Sequence, residues 1–240
     1  MYHKQTHPVF VLMLVLAATA CAPLASASTQ PAVSPPAAPL GTHSPAVATL
    51  TETLPPASLK PYTNSAFGLS FQYPAAWFGP DEYVSGGTLR VAVGSDQVLP
   101  YGADQPEQPS EVRNSYLVVV QYSKNSQDDS WKDTWSLLTG LKDGESLSGP
   151  RSLVTRVGQL DWGRFKGFEF ITTLSESAQT EHVYSREALL VDEQSNLLTI
   201  FGTPNNVEVG SRADWREVYR SLDEANLPFF HAIMESIQIK

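Results

Sequence analysis

Four groups of residues in this chain could do chemistry. Cys21 is the sole cysteine, and it stands directly after the small residues that end an apolar run from Val9 to Ala20. A lone thiol excludes an intramolecular disulfide and any multi-cysteine metal site. Its position instead suits acylation at the exit of an export signal. His182 and His231 are the histidines beyond the first sixty residues. Either would need a nucleophile and an orienting carboxylate to serve a hydrolase. No glycine-rich phosphate loop, HExxH pair or GxSxG elbow occurs to support such a site. Asp128, Asp129 and Asp133 offer oxygens to a calcium ion, but lack the glycine and alternate-residue spacing of a calcium loop. They suit a helix N-terminus, where the dipole favours negative charge. Finally, Gly94 to Asn114 is a long connection with Pro100, Pro106 and Pro109, and carries Asp96, Asp104, Glu107 and Glu111. Connections beyond about 12–15 residues without regular structure are uncommon in compact domains and are often functional. The four acids are candidates for a partner-binding loop, with an ordinary wandering connection as the alternative.

Composition narrows the partners. The chain is 42% hydrophobic and 17% charged, with a formal net charge of −9. Binding to a phosphate backbone needs clustered Lys and Arg, and no such cluster exists, so nucleic acid is excluded as a partner. The acidity serves solubility.

The first sixty residues divide in two. Lys4 and the run VFVLMLVLAATA give the charged start, apolar centre and small-residue exit of a signal peptide over residues 1–20. The run is too short for a comfortable transmembrane helix, which needs about 20 apolar residues. Residues 22 to 60 hold eight of the eighteen prolines, and only Glu52 and Lys60 are charged. Such a stretch lacks an apolar face to offset the entropy of ordering. Residues 21–60 are thus read as a semi-rigid spacer, and residues 61–240 as one globular domain.

Leu16-Ala17-Ala18-Thr19-Ala20-Cys21 resembles a bacterial lipobox, with Ala18 where that motif prefers Leu. The resemblance implies a diacylglyceryl group and a further acyl chain, typically palmitate, on Cys21 as the new N-terminus. Two or more acyl chains give stable anchoring where one is marginal. Ala18-Thr19-Ala20 and Ala25-Ser26-Ala27 also fit ordinary cleavage sites, so a secreted form stays open.

From Pro61 the apolar residues begin to alternate. Leu69, Phe71 and Tyr73 form one face of a strand, Leu89, Val91 and Val93 another, and Tyr116 to Tyr122 reads as a strand covered on both faces. Trp131, Trp135 and Leu138 fall at helical spacing. Strands are predicted near Leu153 to Gly158, Phe165 to Thr173, His182 to Val191 and Leu197 to Gly202, joined as antiparallel hairpins. Ser211 and Asp214 predict a helix start before the stripe Trp215, Val218 and Leu222, and Pro228 suits the first position of a further helix. The tryptophans on these stripes are read as core, with Trp162 as the exposed one. The fold class expected is α+β, an antiparallel sheet covered by helices.

Phe67-Gly68-Leu69-Ser70-Phe71-Gln72-Tyr73-Pro74-Ala75-Ala76-Trp77 resembles the opening motif of PsbP-like domains. Phe229 to Ile237 is similar to their closing helix, and Val157-Gly158 with Phe168-Glu169-Phe170 to their middle hairpins. The resemblance spans roughly residues 62–240 and implies an α/β/α sandwich. It implies no metal, cofactor or catalytic residue here. The function expected is a non-catalytic binding or scaffolding domain, lipid-anchored on the extracytoplasmic face of a membrane, with a protein partner. Two other readings stay open: an extracytoplasmic hydrolase with widely scattered residues, and a small-ligand or calcium carrier.

Overall fold

The computed structural model describes residues 58–103, 112–149, 152–174 and 183–240. In chain order these form β1 (Leu59–Asn64), β2 (Leu69–Pro74), β3 (Phe78–Ser85), β4 (Thr88–Gly94), β5 (Ser115–Ser123) and α1 (Trp131–Gly140). There follow β6 (Ser146–Ser148), β7 (Ser152–Trp162), β8 (Phe165–Leu174), β9 (Tyr184–Val191), β10 (Leu197–Asn205), α2 (Trp215–Glu235) and β11 (Gln238–Ile239).

Eight strands make one antiparallel sheet in the order β3-β4-β5-β10-β9-β8-β7-β6, and β1-β2-β11 make a smaller one. Successive side chains of a strand point to opposite faces, and the two faces of the large sheet meet different neighbours. On one face Leu89, Val91, Val118, Val120, Leu190 and Ile200 join Phe71 of the small sheet and Phe230 and Ile233 of α2 in the main core. On the other, Phe168, Phe170, Leu189 and Leu197 form a smaller core under α1, whose Leu138 is fully buried.

This corrects the expected fold class. The domain is β-rich, built mainly from antiparallel strands, and not a sandwich with helical layers on both faces. Among the described residues there are two helices, and α1 has only ten residues, so it covers a fraction of its face. Two causes stand out. First, the helix starting at Pro228 does not exist: α2 runs through that proline without a break. Pro228 has no N–H to offer the Glu224 carbonyl, a loss expected to break an isolated helix. Burial of Trp215 and Asp223 before it, and of Phe230, Ile233 and Met234 after it, holds both halves against the sheet. Second, edge strands escaped notice. β3 is exposed along most of its length and contains Pro80, Asp81 and Glu82, so it shows no alternation; proline and charge are usual protections of an edge.

Two boundaries also shift. β1 begins at Leu59, so Leu59 and Lys60, assigned above to the spacer, pair with Pro74 and Tyr73. The N-cap of α2 is Asp214 itself, whose carboxylate accepts from the Arg216 N–H, and not Ser211.

Candidate functional site

Two places concentrate chemistry, and they lie on opposite faces of the same strands. The first is a buried ionic cluster beneath α2. Arg186 of β9 faces the helix and is nearly sealed from solvent, while Asp223 of α2 is 0% exposed. Arg186 Nη2 donates to Asp223 Oδ2 at 2.7 Å and its Nε donates to the same carboxylate at 3.0 Å. Its Nη1 donates to Glu169 Oε1 of β8 at 2.7 Å. The hydroxyls of Tyr116 and Tyr184 donate to the two Asp223 oxygens at 2.7 and 3.1 Å. His231, one side of it open to solvent, places Nε2 at 3.2 and 3.3 Å from the Glu169 oxygens.

Local sequence explains how these groups meet. Glu169 pairs across the ladder with Ala188, two residues from Arg186, so both charges fall on one face. Gly202 of β10 lies directly opposite Arg186. A Cβ at Gly202 would stand 2.6 Å from the Tyr116 hydroxyl and 2.7 Å from the Phe230 ring. Its absence lets the tyrosine and α2 close over the cluster.

Electrostatics follow from that enclosure. Burial works against the Arg186 charge, but Asp223 and Glu169 overcome it and leave the guanidinium more firmly protonated than usual. Burial alone would raise Glu169, yet hydrogen bonds from His231 and Arg186 hold its carboxyl below the ordinary range. The Glu169 hydrogen bond raises His231 above its ordinary value, against partial desolvation. Burial and the Asp223 charge push Tyr116 and Tyr184 far up, so both stay neutral donors. With Arg186 against two carboxylates the cluster carries one excess negative charge, which a protonated His231 cancels. A histidine oriented by a carboxylate is part of a hydrolytic triad, but among the described residues no serine or threonine hydroxyl bonds to His231. The arrangement fixes α2 to the sheet.

The second place is a groove of about 610 Å³ beside α1, lined by Trp131, Trp135, Arg164, Lys166, Glu193 and Gln194 with neighbours on the same turns. The two indoles meet edge to face at 5.8 Å and 85°, and Trp135 rests on Phe168 at 5.1 Å. Arg164 comes from the turn between β7 and β8 and Lys166 from the start of β8, Glu193 and Gln194 from the turn between β9 and β10. Asp192 anchors that second turn: its Oδ1 accepts from the N–H groups of Gln194 and Asn196, both at 2.9 Å, and its Oδ2 accepts from Asn196 Nδ2 at 2.7 Å.

The residues singled out from sequence are distributed as follows. Cys21, Asp104, Glu107, Glu111 and His182 lie outside the described residues. Asp96 is 7% exposed and turns inward, its Oδ1 accepting from the Gln97 N–H, so it belongs to no projecting acidic surface. Farther along the same connection, Tyr101 stacks on Tyr83 at 4.2 Å and its N–H donates to Asp81 Oδ2. Asp128 Oδ1 accepts from the Ser130 N–H at the start of α1, and Asp129 pairs with Lys132. Trp131 and Trp135, expected in the core, are only half-buried and line the groove, whereas Trp162 packs against the main core.

Sequence reasoning missed Glu169, Arg186 and Asp223. A signal was present: each interrupts an otherwise apolar face, Glu169 between Gly167 and Ile171, Arg186 between Tyr184 and Ala188, and Asp223 between Tyr219 and Leu227, four residues to either side on the helix.

No family model matches the chain, and no curated protein matches it. Among solved structures it is similar to the solution structure of cyanobacterial PsbP (CyanoP) from Synechocystis sp. PCC 6803, at 14% identity and a TM-score of 0.38, over 78% of this chain and 96% of that one. An overlap this loose carries no argument about family, sites or function.

Proposed function

We propose that this protein is a non-catalytic binding domain, held at the extracytoplasmic face of a membrane by lipid on Cys21 and set off from it by the proline-rich spacer. One observation carries the binding part. The interior charges are engaged with one another beneath α2, while the open groove beside α1 offers aromatic planes and hydrogen-bonding groups on fixed turns. Largely preformed pockets with apolar walls and a few polar groups are the usual form of a small-ligand site. The anchor rests on the apolar run, its small-residue exit and the sole cysteine.

Expression of the full chain and of Cys21→Ser in a bacterial host with lipoprotein processing tests the anchor. The parent chain takes up labelled palmitate and sediments with membranes. The variant takes up none and is recovered soluble or unprocessed. A mature N-terminus beyond residue 21, without acyl mass, overturns the anchor and leaves a secreted binding domain.

A further inference from the structure

We infer that the groove beside α1 binds a saccharide bearing a carboxylate, with the sugar ring against Trp131 and Trp135 and the acid group on Arg164 and Lys166. The inference deepens the binding function proposed above and rests on it.

The apolar half comes from the indoles. A pyranose has one face of C–H bonds, and an indole plane is the protein surface that best covers it while leaving the ring hydroxyls to polar partners. Two indoles at 85° give a floor and a wall. Trp135 is fixed by its contact with Phe168, so the platform is preorganised and little ordering is left for the ligand to impose. A groove of about 610 Å³ falls within the range of about 300–1,000 Å³ usual for small ligands.

The polar half decides the class of sugar. Arg164 Nε stands 3.9 Å from Asp192 Oδ2, and Lys166 Nζ stands 3.9 Å from Asp161 Oδ2. Both separations exceed a hydrogen bond. The Asp192 carboxylate is already occupied by three N–H donors of its own turn. Arg164 also reaches the Ile239 carbonyl through Nη2 at 3.5 Å and lies over the Phe165 ring, so it is held in place at the rim, while Lys166 is the looser of the two. They are 47% and 62% exposed, and neither is closed into a tight ion pair. A guanidinium and an ammonium together suit a carboxylate through charge-assisted hydrogen bonds. Glu193 and Gln194, exposed on the facing turn, supply acceptors and a donor for ring hydroxyls. Glu193 also disfavours a doubly charged phosphate, while a purely neutral sugar would leave both cations without a role.

Titration of the full chain with trigalacturonate and with a hyaluronan tetrasaccharide tests this, followed by tryptophan fluorescence and amide chemical shifts. Maltotriose serves as the neutral control. We expect saturable binding of an acidic probe, with shifts at Gly163, Lys166 and Gln194, weakening as salt rises. Trp131→Ala should reduce affinity about tenfold or more, as for a central aromatic contact. Lys166→Gln, on an exposed side chain that leaves the fold intact, should reduce it several-fold for the acidic probes alone. Equal binding of maltotriose, unaffected by Lys166→Gln, overturns the acidic specificity while the groove remains a binding site. Absence of binding by both acidic probes overturns the inference. Shortened probe recovered by chromatography, dependent on Trp131, supports the site and overturns the non-catalytic function.

Discussion

Strands β8 and β9 serve two regions at once, and the contrast between them is instructive. Glu169 and Arg186 point toward α2 and are sealed into a saturated ionic cluster, while Phe168, Phe170 and Leu189 of the same strands point toward α1 and form the small core on which its tryptophans rest. Consecutive residues thus meet opposite physical demands. Under α2 every charge is fixed by a partner, so the region resists change. Beside α1 the walls are fixed but the rim is loose, with ion pairs at 3.9 Å and exposed side chains. A region that has satisfied its own polar groups stabilises the fold; one that has left them accessible can recognise something else.

The sharpest way to break this contrast is Arg186→Met. Asp223 then keeps two tyrosine hydroxyls but loses its cation at full burial, and Glu169 loses a second bond. Removal of one partner of a buried pair costs about 3–5 kcal/mol, and urea unfolding should show a lower midpoint with an unchanged slope. A loss below about 1 kcal/mol would mean that water reaches the cluster.

Gly202→Ala should have the next largest effect. Its new methyl would collide with the Tyr116 hydroxyl and the Phe230 ring, an overpacking expected to cost about 1–3 kcal/mol. Thermal unfolding measures it, and Tyr116→Phe in the same chain should relieve part of the clash.

A smaller effect appears in pH dependence. His231 has a folded pKa above its ordinary value, so its contribution to stability is fully present below about 6.5 and is lost as pH rises through the folded value. Glu169 behaves oppositely: its folded pKa is lowered, so its contribution is present above about 4.5 and is lost as pH falls through the folded value. Stability should peak between these limits. His231→Gln should abolish the decline on the alkaline side and weaken the acid limb, since His231 helps hold Glu169 low; the imidazole is 35% exposed, so solvent screening keeps the decline shallow. Unfolding midpoints across pH 4 to 9 that fall equally in both proteins would assign the decline to another group.

Lys166→Gln should change stability least, within about 0.5 kcal/mol, as for other exposed substitutions. A larger loss in chemical unfolding would show that the rim of the groove is structural.

Much of the sheet could be read from alternation alone. β2, β4, β5, β8, β9 and β10 each show a buried face in the sequence, as does the stripe of α1. Strands with no buried face, such as β3, leave no such trace. Pro228 misled for a different reason, because local propensity was overridden by burial on both sides of it. The ionic cluster was hidden by distance: Arg186 meets Glu169 across 17 residues and Asp223 across 37, and His231 meets Glu169 across 62. A charge inside an apolar strand says that a partner exists, but not which one. The groove was obscured because half-buried tryptophans have the same helical spacing as core ones.

The first strand has a mechanical consequence. Under the proposed tether, tension through the segment before Leu59 would load an edge strand at its end, where β1 pairs with β2. Two fastenings sit at that point: the Ala75 N–H donates to the Ser58 carbonyl at 2.7 Å, and Lys60 Nζ donates to the Trp77 carbonyl at 2.7 Å. Trp77 in turn rests on Phe229 of α2, their rings 5.7 Å apart. Load therefore passes from residue 58 through the turn at Ala75 to Trp77 and into the long helix. From there the Asp223 and His231 contacts to β9 and β8 pass it into the large sheet, so a pull at residue 58 is shared by both sheets through α2.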